Sequence, residues 1–184
     1  MKKSFATFFC FFVLIGLSMF FKNILIKQKS PIHNHIGHIL PSKFLSIASM
    51  EFKGIVSDYY FLKFLTHIGD QIGKKKLSKQ KHAFYIYNTI DIITDLDPWF
   101  WDAYLIADML LTWEFNEIKL ANKLLLKAKK YRTNDYKVFY YLGFNYFYFL
   151  NDSKNAVRYI QEAAKMPNSP AYIGNLAKRL AKNL

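Results

Sequence analysis

The chain has 184 residues, 52% of them hydrophobic and 18% aromatic, with 7 Gly and 5 Pro, which excludes a disordered or collagen-like chain and favours helices. Its formal charge of +13, from 26 Lys and Arg against 13 Asp and Glu, favours anionic partners without choosing among phospholipid, nucleic acid and acidic protein. The single cysteine, Cys10, rules out an intrachain disulfide framework or a thiolate metal site.

The first expected element is a membrane segment at residues 1–22. "MKKSFATFFCFFVLIGLSMFFK" places two lysines before seventeen uncharged residues, Phe5 to Phe21, and then Lys22. A run of that length just spans a bilayer core. The one small-x-small site, Gly16-Leu17-Ser18, is followed directly by apolar Met19-Phe20-Phe21, so an uncleaved signal anchor is expected rather than a cleaved signal. "TFFC" lacks the small residues that lipidation of Cys10 would need. Lysines on the two sides nearly tie, and the short tail ahead of the segment points to N-in, with the body translocated. Residues 23–42 form a linker holding His33, His35 and His38. Such a tract can bind zinc or copper, but no carboxylate or cysteine joins it, and a polar juxtamembrane spacer is the preferred reading.

From residue 43 the pattern is helical. "GIVSDYYFLKFL" is an apolar helix with Asp58 within it, and "GKKKLSKQK" is a basic loop carrying Lys74, Lys75, Lys76, Lys79 and Lys81. Ile86, Ile90, Ile93 and Leu96 then mark a second helix, closed by the turn Leu96-Asp97-Pro98. From there the chain matches itself at a shift of 35 residues. Tyr104 falls on Phe139, Ala107 on Leu142, Leu111 on Tyr146, Ala121 on Ala156, Leu125 on Ile160 and Ala128 on Ala163. Phe139, Leu142, Gly143 and Tyr146 occupy one helix face, as do Ala156, Ile160, Ala163 and Met166. Between them Asn151 closes one helix, and Asp152 or Ser153 caps the next. Pro167 and Pro170 end the second helix, and "SPAYIGNLAKRLAKNL" is a final helix with Ser169 as N-cap and Pro170 at its first position.

The run Phe139, Leu142, Gly143 and Tyr146, followed by Ala156, Ile160 and Ala163, resembles the tetratricopeptide repeat. Trp101–Thr133 looks like a degenerate copy, with Ala107-Asp108 where the better copy has Leu142-Gly143. A weaker copy runs from about Phe52 to Pro98 with a longer turn. The resemblance covers roughly residues 50–184. It implies an all-α fold for residues 43–184, a short solenoid of about three helical hairpins plus a C-terminal capping helix, behind the N-terminal transmembrane helix. Eight of the twelve residues from Phe139 to Leu150 are aromatic. In a solenoid these divide between packing and a concave groove.

Nothing in the chain matches a G-x-S-x-G, a phosphate loop or an H-E-x-x-H motif, so no enzyme and no cofactor is expected. Asp91, Asp95, Asp97 and Asp102 sit close together, yet turn and helix-start roles account for them better than paired carboxylates or a metal. Trp99, Trp101 and Trp113 are expected to pack rather than stack on a ligand. The resemblance implies a protein or peptide partner lying in the groove. That groove would be lined by Lys137, Tyr140, Tyr141, Phe144 and Phe147, with Asp102, Leu105, Met109 and Thr112 from the preceding unit. The family's peptide-terminus clamp uses lysine, asparagine and arginine, whereas this groove is aromatic and suits apolar anchors. Lys119, Lys123, Lys127 and Lys130 form a stripe expected to be a solvated outer face. The alternative is a structural envelope subunit contacting anionic lipid through Lys74, Lys75, Lys76, Lys123 and Lys127. The expected setting is a bacterial envelope, with the body outside the cytoplasm and nucleic acid disfavoured.

Overall fold

The computed structural model describes residues 15–19, 40–74 and 79–182. The chain divides into two compact units, Met1–His38 and Ile39–Leu184. In the first, residues 15–19 are helical; the remainder of the expected anchor, and the three linker histidines, lie outside the described residues. No helix among the described residues is long and apolar enough to cross a membrane.

The second unit is all-α, with no strand among its described residues. A short helix, α1 (Ser42–Ala48), follows Pro41 and buries Leu45. The chain turns at Met50, whose φ of 46° is left-handed, into α2 (Lys53–Lys74). Ser57, Phe61, Phe64 and Ile68 are buried, and their spacing of i, i+4, i+7 and i+11 makes one face of α2. That face packs on α3 (Lys79–Leu96), where Ala83, Ile86, Ile90 and Ile93 are fully buried. Ser57 Oγ donates to the Ile93 carbonyl at 3.1 Å and Phe64 meets Tyr85 at 6.2 Å, an antiparallel order. In the turn that follows, Asp97 Oδ1 accepts from the Trp99 amide at 2.9 Å.

Two further hairpins follow. The first joins α4 (Trp101–Met109), which widens into a π-helical turn (Leu110–Glu114), to α5 (Ile118–Tyr131). The second joins α6 (Tyr136–Tyr148) to α7 (Ser153–Ala164). A last helix, α8 (Ala171–Lys182), packs on α7. The 35-residue repeat is visible in these bounds: Trp101, Tyr136 and Ala171 open α4, α6 and α8, and Ile118 and Ser153 open α5 and α7. Burial repeats with it, since Ala103, Val138 and Ile173 are all fully buried, as are Ala121 and Ala156, and Ala128 and Ala163.

The hairpin turns share one mechanism. Asn116 and Asn151 both adopt a left-handed φ, 58° and 52°, a conformation asparagine tolerates at a helix C-terminus. Each lets the next amide reach back six residues, Glu117 to the Leu111 carbonyl at 2.7 Å and Asp152 to the Tyr146 carbonyl at 2.9 Å, so carbonyls left open by the helix end are satisfied. Of the two expected caps for α7, Asp152 fills the role, with Oδ1 accepting from the Asn155 amide at 3.0 Å. Ser169 does not cap α8. The helix opens two residues later, at Ala171, and the buried Ser169 hydroxyl has no hydrogen-bond partner.

Candidate functional site: an aromatic face

Helix α6 has too many aromatic residues for one buried stripe, and the structure shows where the surplus goes. Phe139 and Leu142 are buried and Tyr146 stacks on Tyr159 of α7 at 5.5 Å. Gly143 is closed against α7: a Cβ there would lie 2.7 Å from Ile160 Cδ1 and 3.1 Å from the Ile160 backbone nitrogen. The remaining rings form a second row. Tyr140 stacks on Phe144 at 6.5 Å and Phe144 on Tyr148 at 5.5 Å, one ring per turn at i, i+4 and i+8.

Neighbouring first helices extend this row on both sides. Trp101 of α4 meets Tyr141 at 5.8 Å, and Trp113 in the π turn meets Tyr148 at 5.3 Å and Phe149 at 5.0 Å. On the other side Tyr172 of α8 meets the edge of Tyr140 at 6.4 Å. The rings are partly open: Trp113 is 56% exposed and Tyr148 54%. Desolvation raises the Tyr141 phenol pKa, with the nearby Asp108 carboxylate adding to the rise.

Beneath the face lies a polar knot. Asp108 of α4, Asn122 of α5 and Asn145 of α6 are all buried. Asn145 Nδ2 donates to Asp108 Oδ1 at 2.6 Å and to Asn122 Oδ1 at 2.9 Å. Burial raises the Asp108 carboxyl pKa from 3.8 to about 7, against the lowering effect of the Asn145 hydrogen bond. One carboxyl, hydrogen-bonded to a neutral amide, therefore sits where three helices meet.

Of the residues expected at the groove, Tyr140, Tyr141 and Phe144 are brought together, half-buried, in this face. Phe147 is exposed near the end of α6, and Lys137 is exposed in its first turn. Asp102, Leu105 and Met109 lie along α4 at i, i+3 and i+7, with Asp102 and Met109 exposed and Leu105 half-buried, while Thr112 is buried. Trp113 continues that spacing at i+11. The expectation that the tryptophans pack holds for Trp101, which also lies under the Arg132 guanidinium at 5.5 Å; Trp99 and Trp113 are instead largely exposed. Sequence reasoning missed Trp113, Tyr148 and Tyr172 as members of the face.

The basic residues divide differently from the expected stripe. Lys119, Lys123 and Lys130 are exposed. Lys127 instead turns into the seam between α3 and α5, where Nζ donates to the Asp91 carbonyl at 2.6 Å, Asp91 Oδ1 at 2.7 Å and Asp95 Oδ1 at 2.5 Å. It therefore braces two helices and is not a free cation for lipid. The same bonds give Asp91 and Asp95 a structural role. In the basic loop, Lys75 and Lys76 lie outside the described residues, and Lys74 is placed only as the last residue of α2. Among the described residues no group of three or more His, Cys, Asp and Glu side chains could hold a metal ion.

No protein-family model, curated protein or solved structure matches this chain. The reading of its function rests on the residues themselves.

Proposed function

We propose that the chain is a non-enzymatic binding scaffold of the tetratricopeptide type, which receives an apolar or aromatic segment of a partner protein on the face formed by α4, α6 and α8. The observation that carries this reading is the continuity of the face. Rings contributed by three successive first helices touch in one row, and several stay open to solvent. Open aromatic rings held by their neighbours offer large contact area at low conformational-entropy cost, the usual character of binding hot spots. The apolar run from Phe5 to Phe21 supplies a membrane tether in this reading, with the repeat unit on the outer side of a bacterial envelope. Lipid contact through the basic residues is the weaker alternative, because Lys127 is already engaged by two aspartates.

The test is site-specific photocrosslinking from intact membranes, with a photoreactive residue at Tyr141 and, separately, at Lys123 on the outer face of α5. A protein adduct from position 141 that disappears in the Tyr140→Ala, Phe144→Ala double variant is the expected result. Adducts mainly to lipid from position 123, with none from position 141, would overturn the groove reading in favour of a membrane-surface role.

A further inference from the structure

Helix α2 is apolar on two opposite faces. The inner one, Ser57, Phe61, Phe64 and Ile68, is buried in the unit. The outer one is open: Phe52, Ile55, Tyr59 and Leu62 are 65, 66, 60 and 63% exposed. Phe52 belongs to the helical register, since its carbonyl accepts from the Val56 amide at 3.0 Å. Phe44, Ile47 and Met50, just before it in α1 and the turn, are exposed as well. The opposite end of the repeat array is finished differently, for α8 exposes Asn175, Lys178, Arg179 and Lys182. A stacked-repeat protein needs polar outer surfaces at its ends, and the α2 end lacks one.

The spacing and edges of the open strip say what covers it. Phe52, Ile55, Tyr59 and Leu62 follow a 3-4-3 spacing, the seam of a two-heptad coiled coil. Thr66 and Gly69 continue it with small side chains, and a Cβ at Gly69 would meet nothing. Along one edge of the seam lie Glu51, Asp58 and Leu65, and along the other Val56, Lys63 and Asp70, with Val56 and Leu65 half-buried and the rest exposed. In a parallel pair each edge faces the opposite edge of the partner helix. Asp58 of one copy would then stand against the residue five positions on in the other, which is Lys63. An antiparallel pair would set the edge of Glu51 and Asp58 against the same acidic edge of the partner. Anionic lipid would also meet Glu51 and Asp58, where interfacial helices carry Lys and Arg. The four seam side chains, at on the order of 100 Å² each, supply about half of the ~800 Å² per partner of a standard interface.

We propose that the outer face of α2, Phe52, Ile55, Tyr59 and Leu62, is a parallel two-fold interface with a second copy of this chain. This inference stands apart from the aromatic face, which uses other helices.

The test uses the full chain in neutral detergent, with Cys10 replaced by serine and a single cysteine placed at Ile55, Leu62 or, as a control, Lys123. Under mild oxidation the Ile55→Cys and Leu62→Cys chains should each form disulfide dimers, and the control should not. Sedimentation should show Asp58→Lys weakening association by roughly tenfold, with Lys63→Glu restoring it in the same chain. Three results would overturn the proposal. One is a monomer with no crosslink at either position. Another is crosslinking at Ile55 but not at Leu62, which excludes the parallel register. The third is protection of both cysteines only when anionic vesicles are added, which assigns the face to a bilayer.

Discussion

Asp108 sets a pH dependence that a single substitution should remove. In the folded chain burial holds its carboxyl protonated up to about pH 7, whereas an ordinary aspartate titrates near 3.8. Between those values the folded state carries a proton that the unfolded state has lost, so stability falls as pH rises from about 4 to 7 and then levels. At 1.36 kcal/mol per decade, the displacement corresponds to ~4 kcal/mol forfeited once the carboxylate is ionised. Asp108→Asn keeps an oxygen for the Asn145 amide, which donates to Asp108 Oδ1 at 2.6 Å, and removes the buried charge. The variant should therefore match the wild type near pH 4 and exceed it at pH 8 by up to ~4 kcal/mol, a rise in Tm of roughly 8–16 °C for a chain of this size. Thermal unfolding followed by circular dichroism at both pH values checks this. The difference between variant and wild type cancels the titration of the other carboxylates. A difference that is the same at pH 4 and pH 8 would refute the argument that desolvation of Asp108 governs it.

Gly143→Ala should destabilise by about 1–2 kcal/mol although alanine is the better helix former, because the added carbon meets Ile160 at 2.7 Å and overpacking outweighs propensity; thermal unfolding reads the sign. Lys127→Ala should cost ~1–2 kcal/mol in urea unfolding, since it strips two aspartates of their shared partner, while Lys123→Ala at an exposed site should change stability by less than ~0.5 kcal/mol. Tryptophan fluorescence should titrate with a midpoint near pH 7 in the wild type and stay flat in Asp108→Asn, because Trp101 and Trp113 touch α6 on either side of the Asp108–Asn145 bond.

The spacing of 35 carried most of the fold within the sequence. It carries the hairpins of α4 to α7, the buried alanines and the closing Asn151, because each depends on residues near in sequence. What it left out depends on residues that meet across helices. A lysine stripe at steps of four and three reads as solvated, and nothing local reports that Asp91 and Asp95, 36 and 32 residues upstream, turn Lys127 inward. Helix α2 is apolar on two faces, and periodicity does not say which one the unit buries. The aromatic row of α6 was legible as surplus over its packing face. Trp113 and Tyr172 escaped it because ring contacts between separate first helices have no signature along the chain, although Tyr148, one turn past Phe144 on the same helix, was within reach of the spacing. The knot of Asp108, Asn122 and Asn145 was missed for the same reason.

The mismatch of the two hairpins at one position accounts for much of this geometry. Gly143 has no side chain, so α6 closes on Ile160 and runs against α7 over a long seam. Thirty-five residues earlier the same place is held by Asp108. The seam between α4 and α5, where α4 is the shorter helix, is slighter. The Asp108 carboxyl accepts from Asn145, whose amide also donates to Asn122, so α6 is bonded back to both α4 and α5. Within a turn of Asp108 the helix widens over Leu110–Glu114, a form often found at functional sites. That segment carries Trp113, which meets Tyr148 and Phe149 on the aromatic row. Asp108 thus ties two hairpins together beneath the surface proposed to bind, and its ionisation near pH 7 acts on that junction.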